Sequence, residues 1–199
     1  MTPAIFPGSG PAPGPAPRRL WQRLWRWLAL TVVAGLAALI VVAFVGGFGR
    51  DPSVVTSALL NRPAPPLAGR TLAGPPFSPA TVRGKVLLVN IWASWCPACR
   101  AEQRLLDSVQ RQLGPAGLQL VGIDMSDTVA AARAFLSQTG GQLYPQIEDP
   151  SAHLAVSWGT FGVPETYLVD RAGIIRVKAT GALTPGWVRQ YVLPVLDRR

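Results

Sequence analysis

The sequence predicts an α/β domain, a central mixed β-sheet with helices on both faces, standing behind one N-terminal transmembrane helix. Three observations lead there. Trp27 to Gly49 runs for 23 residues without a charge. Lys85 to Trp92 is a near-continuous apolar run rich in β-formers, as a strand buried on both faces should be. Beyond it the patterns follow the order β-α-β-α, a short helix, then β-β-α, which builds a mixed sheet covered by helices. With 199 residues, 49% hydrophobic and only 15% charged, the chain has room for one ordinary domain plus an unusually apolar segment. That composition excludes a wholly disordered chain.

Residues 1 to 17 carry prolines at 3, 7, 11, 13, 15 and 17 and cannot pack a core. At about 1.5 Å rise per residue, the apolar run 27–49 can cross a bilayer core of roughly 30 Å. Arg18, Arg19, Arg23 and Arg26 precede it, so the positive-inside rule puts residues 1–26 in the cytoplasm and the C-terminal mass in an oxidising compartment. A cleaved signal peptide is the competing reading, but the run exceeds a usual h-region of about 7 to 15 residues and no convincing small-x-small site follows Phe44. Residues 50–66 include four prolines and read as a linker, leaving 67–199 as the folded domain.

Within that domain, Leu105, Leu106, Val109 and Leu113 recur at helical spacing between Cys99 and Leu113, and Gly114-Pro115 stops the helix. Leu118 to Asp124 reads as a second strand. Asp127 is placed to cap a helix through Gln138, closed by Gly140-Gly141, and Ser151 to Trp158 forms a short helix ended by Gly159. Thr166–Val169 and Ile174–Lys178 are β-runs joined by a hairpin signal, and Thr184-Pro185 opens a last helix through Leu196.

The net charge of +9 invites a nucleic-acid reading, but five basic residues lie before Asp51, where no acid occurs. The remainder carries 14 basic against 10 acidic side chains in no basic run, so no nucleic-acid partner is expected. The chemistry sits instead at Trp95-Cys96-Pro97-Ala98-Cys99, where a buried strand hands over to a helix. A thiolate there meets unsatisfied backbone N–H groups and the positive end of the helix dipole, which lowers its pKa. Cys96 is therefore the expected nucleophile. Cys99, one turn on, is near enough to close a disulfide and resolve a mixed one, and Pro97 presets the first turn. Zinc would need a second cysteine pair or histidines, and His153 is the only histidine. Covalent haem attachment needs His after the second Cys, where Arg100 stands. A purely structural staple remains open, although a loop this short removes little chain entropy.

Strand, WCPAC, helix, and later Gly162-Val163-Pro164-Glu165-Thr166 entering a strand together resemble a thioredoxin-fold oxidoreductase. More narrowly, residues 47–52, 89–102, 122–127, 158–170 and 181–184 resemble the membrane-anchored cytochrome c maturation thioredoxins, the CcmG/DsbE family. The resemblance implies a thioredoxin-like fold and a cis bond before Pro164, which would face the disulfide while Val163 offers backbone groups to an extended substrate. Glu165 would stand at the rim and, as a negative charge, make the dithiol a better reductant. Glu102 is expected in the first turn of the active-site helix, where tuning of the thiols and plain helix stabilisation are both open. Asn90 occupies the place where many thioredoxins bury a proton-relaying aspartate. Since Asn cannot titrate, Glu102, Glu165 or a water would take the proton. Asp124, ending a strand, is another candidate acid, with loop capping equally open. Trp95 is expected to pack beside the disulfide and shield it.

The resemblance implies a reductant in the bacterial inner membrane, its C-terminal domain in the periplasm. The thiols would act on apocytochrome c or on a thiol protein of the haem-attachment machinery, and a transmembrane electron donor would re-reduce them. No cofactor is expected, the redox centre being the Cys96–Cys99 pair. A general periplasmic reductant or oxidant, and an apocytochrome-binding module with a structural disulfide, remain as alternatives.

Overall fold

The computed structural model describes residues 18–47, 54 and 57–198, in two compact units that divide at Arg50. The Pro-rich tail 1–17 and the last two residues of the expected span lie outside the described residues. The first unit is helix α1 (Arg18–Gly47). Its stretch Trp21–Val42 has a mean hydropathy of 2.0 and is long and apolar enough to cross a membrane.

The second unit is built on a five-stranded sheet. A small hairpin, β1 (Gly69–Arg70) and β2 (Pro76–Phe77), precedes the central strand β3 (Val86–Trp92), which is buried at every position. The chain continues through α2 (Pro97–Leu113), β4 (Leu118–Met125), α3 (Val129–Thr139), β5 (Gln146–Asp149) and α4 (His153–Ser157). It ends with β6 (Glu165–Val169), β7 (Ile175–Thr180) and a C-terminal helical run α5 that begins at Pro185–Trp187. The sheet order is β5-β4-β3-β6-β7, with β3, β4 and β5 parallel and β6 and β7 antiparallel. This is the mixed sheet the sequence predicts, with helices on both faces.

Strand parity sorts the core. Leu87, Val89, Ile91, Val121, Ile123 and Tyr167 face one side, under Trp158 and α4. Val86, Leu88, Leu120 and Leu168 face the other, where Leu106 and Val109 of α2 meet Trp187 and Val192 of α5. A third cluster closes the C-terminal end of β3: Trp92 stacks on Phe135 of α3 at 4.8 Å between centroids and packs with Cys96 and Cys99. Close packing there depends on Gly122. A Cβ at that position would run into the Gln146 side chain, which accepts the Trp92 indole N–H at 2.8 Å.

Beyond the β1–β2 hairpin, which the sequence does not announce, the elements differ from the sequence reading in several ways. Strand β5 is unforeseen, because Gln146-Ile147-Glu148-Asp149 has little β-propensity; its parallel pairing with β4 decides the conformation. Residues 57–66, read as linker, dock on the sheet: Asn61 N–H donates to the Ile175 carbonyl at 2.8 Å, and Leu59 and Leu60 pack on the core. They pair with the start of β7 at Ile175, while Leu72 N–H donates to the Gln146 carbonyl at the start of β5, so each edge is partly covered. Helix α3 is capped by Thr128, whose hydroxyl accepts from Ala131 N–H at 3.2 Å, and not by Asp127. Helix α4 is shorter than expected. In α5 the backbone widens into a π-type turn at Val188–Val192 before finishing as Leu193–Leu196. Pro194 explains this, since it offers no N–H and its ring crowds the carbonyl one turn back.

Candidate active site

Cys96 stands at the N-cap of α2, delivered there by β3 and the short loop Ala93–Trp95. Its sulfur accepts the Cys99 backbone N–H at 3.0 Å, so the helix end already solvates this atom. Pro97 takes the first helical position, where a missing N–H costs nothing. Cys96 and Cys99 are joined in a disulfide with Cα atoms 5.3 Å apart. Cys96 is 4% exposed and Cys99 fully buried, so an incoming disulfide meets Cys96 first and Cys99 attacks from inside.

Val163 and Pro164 complete the rim. The Val163–Pro164 bond is cis, and the Val163 carbonyl oxygen lies 3.6 Å from Cys96 Sγ. Trp95 does not cover the disulfide as expected. It is 59% exposed, its indole N–H directed 3.4 Å away to the Ser126 carbonyl, and the sulfurs are packed by Leu72, Trp92, Phe135 and Leu136 instead. A groove of about 780 Å³ opens beside Leu72 and Leu136, floored by Phe77, Leu143 and Tyr144.

Glu102 is buried in the second turn of α2, and the first turn holds no acid, so helix-dipole stabilisation does not explain it. It accepts from Asn90 Nδ2 at 2.9 Å and from Leu183 N–H at 2.8 Å. Burial lifts its pKa from 4.5 to about 7, against the pull of those two hydrogen bonds. Asn90 itself is fully buried and also donates to Thr166 Oγ1 at 3.0 Å, so a non-titrating residue positions a titrating one.

Glu165 points to the other face of β6. Its carboxylate forms a buried ion pair with Lys178 Nζ at 2.9 Å and accepts the Tyr167 hydroxyl at 3.2 Å. The expected free negative charge at the rim is thus a compensated one. Lys178, unforeseen as a partner, also donates to the Gly159 carbonyl at 2.8 Å and lies 5.0 Å over the Phe161 ring. Plain alternation along β7 groups Lys178 with exposed Arg176, and only the register shift between Val177 and Ile175 turns it inward, so no sequence signal says that it is buried or which acid meets it.

Asp124, next to last in β4, pairs with Trp92 and is buried. Burial first, then the charge of Asp127 beside it, raises its pKa from 3.8 to about 8. Asp127 is the residue the sequence reading missed: its Oδ2 accepts the Ser94 N–H at 2.7 Å, across 33 residues. Among the described residues no group of three His, Cys, Asp or Glu side chains is arranged to hold a metal ion.

An N-capping cysteine in a disulfide with the next turn, opposite a cis-proline loop, is the arrangement of a dithiol exchanger. Comparison with known proteins agrees. Residues 60–178 match the AhpC/TSA family. Over 171 residues the chain is 34% identical to the thiol:disulfide interchange protein DsbE of Yersinia pestis, covering 82% of this chain and 89% of that one. It is 35% identical over 168 residues to the thiol:disulfide interchange protein HelX of Rhodobacter capsulatus, covering 81% and 93%. The chain belongs to the DsbE family of thiol:disulfide interchange proteins. Among solved structures, a thiol:disulfide interchange protein of the thioredoxin family from Chlorobium tepidum superposes with a TM-score of 0.62 at 26% identity, covering 72% of this chain and all of that one. A secreted thiol-disulfide isomerase from Corynebacterium glutamicum gives 0.63 at 24% identity, covering 75% and 96%, which shows the common thioredoxin-like fold. The protein is accordingly a thiol:disulfide oxidoreductase working through a CxxC pair.

Proposed function

We propose that the protein is a membrane-anchored reductant of c-type cytochrome biogenesis. Helix α1 anchors it in the bacterial inner membrane, with the arginines at 18, 19, 23 and 26 on the cytoplasmic side and the thioredoxin-like domain in the periplasm. The carrying observation is Cys96 Sγ at the end of α2, beside the Val163 carbonyl, within a chain of the DsbE family.

In the reduced protein the Cys96 thiolate attacks a disulfide of apocytochrome c or of a haem-attachment thiol protein, expelling one thiolate and forming a mixed disulfide. Deprotonated Cys99 then attacks Cys96 Sγ, releasing the second thiolate and closing the Cys96–Cys99 disulfide. Two electrons pass to the substrate. Glu102, one turn beyond Cys99, takes the proton of the resolving thiol, which its pKa of about 7 suits it to do. A transmembrane electron donor returns the disulfide to the dithiol, and no cofactor is required. The anchor keeps the exchange among membrane-bound partners and raises their effective concentration.

The test is assembly of holocytochrome c in cells whose own copy of the gene carries Cys96→Ala, Cys99→Ala or both. Loss of assembly in each single variant, with mixed disulfides accumulating on Cys99→Ala, supports the reductant. Assembly sustained by the double variant favours a binding module whose cysteines only staple the rim.

A further inference from the structure

The loop entering Cys96 is tied to a segment that the exchange chemistry itself does not use. Ser94 and Trp95 follow the end of β3, and both reach the turn between β4 and α3. Ser94 N–H donates to Asp127 Oδ2 at 2.7 Å, and the Trp95 indole N–H points to the Ser126 carbonyl at 3.4 Å. That turn is fixed in its own right. Ser126 takes a left-handed backbone conformation at φ 53°, and its N–H donates to the Asp149 carbonyl at 3.0 Å. Asp127 Oδ1 accepts the Thr128 N–H at 2.7 Å, so the two carboxylate oxygens bridge the start of α3 and the loop of the nucleophile.

We propose that Asp127 is a positioning residue for thiol exchange: by gripping the Ser94 amide it fixes where Cys96, two residues on, meets the N-terminus of α2 and the Val163 carbonyl. The contact that prepares the sulfur is a single 3.0 Å hydrogen bond from Cys99 N–H, and such contacts tolerate little displacement. Asp124 is the acid at the end of the same strand-to-helix turn. It is buried, and its Oδ1 has no hydrogen-bond partner among the described residues. Burial, then Asp127, then Glu148 and Asp149 of β5 raise its pKa from 3.8 to about 8.

Asn and Ala at position 127 remove the same charge, but only Asn keeps an oxygen for the Ser94 amide, so the pair isolates the hydrogen bond from the electrostatics. The experiment takes the full-length chain, reduced, in detergent micelles. It reads the second-order rate constant for reduction of bis(2-hydroxyethyl) disulfide at pH 7. Asp127→Asn is expected within about twofold of the parent chain and Asp127→Ala about tenfold slower. If Asp127→Ala does not fold, Asp127→Ser, with a shorter acceptor, takes its place and is expected to be slower than Asp127→Asn. Equal rates for the Asn variant and its comparison variant overturn the proposal, whatever happens to thermal stability.

Discussion

Asn90 Nδ2 lies 2.9 Å from Glu102 Oε1, so the amide in the middle of the central strand holds the one carboxyl that α2 buries close behind its cysteines. The second oxygen of Glu102 is bound by Leu183 N–H, ahead of the C-terminal helix. A titrating group thus joins the strand, the active-site helix and the last connection of the fold. Its protonation state bears on stability as well as on chemistry.

The folded protein keeps the Glu102 proton up to about pH 7, whereas the unfolded chain releases it near 4.5. The contribution of Glu102 to stability therefore falls as pH rises between those values and levels off above 7, by about 3 kcal/mol. Glu102→Gln keeps the shape without the charge and is expected to make the decline shallower by that amount, leaving the part contributed by Asp124, whose pKa is raised from 3.8 to about 8. Urea unfolding of both proteins at pH 4.5 and pH 8 measures it.

The same substitution is expected to slow the resolving step about tenfold to a hundredfold while leaving the first attack by Cys96 nearly unchanged. Rapid quenching that separates the mixed disulfide from the final product distinguishes the two steps.

Removing Lys178 strands Glu165 without its counter-charge inside the fold. Lys178→Met is expected to cost about 3–5 kcal/mol in urea unfolding, and Glu165→Gln in the same chain to restore much of the loss. The pair is then structural, and the rate of disulfide exchange in the double variant is expected to stay within about threefold of the parent.

Gly122→Ala puts a methyl group where the Gln146 amide accepts the Trp92 indole N–H. The Trp92–Phe135 stack behind the cysteines then has to shift, at an expected cost of about 1–3 kcal/mol. Thermal unfolding checks the size, and near-ultraviolet circular dichroism checks the tryptophan environment.

Much of the fold can be read in the sequence wherever one segment carries its own signal. The β3 run, the α2 periodicity ending at Gly114-Pro115 and the Cys96–Cys99 spacing depend on neighbours a few residues apart, and those elements lie where the sequence places them. What escapes is set by distant partners. Strand β5 exists because β4 pairs with it, and residues 57–66 are ordered by the edge of β7. The acids divide in the same way. Glu102 and Glu165 are visible as candidates, but only the fold reveals that one faces Asn90 and Leu183 while the other is neutralised by Lys178. Asp127 looked like an ordinary helix cap, because nothing local connects it to Ser94.

The most direct test of the proposed reductant is the equilibrium reduction potential of the Cys96–Cys99 pair in the full-length chain, measured in defined thiol–disulfide buffers at pH 7. A dedicated reductant is expected to give a value near thioredoxin's, about −270 mV, or somewhat above it. A value near about −120 mV, that of a strong periplasmic oxidant, would contradict it.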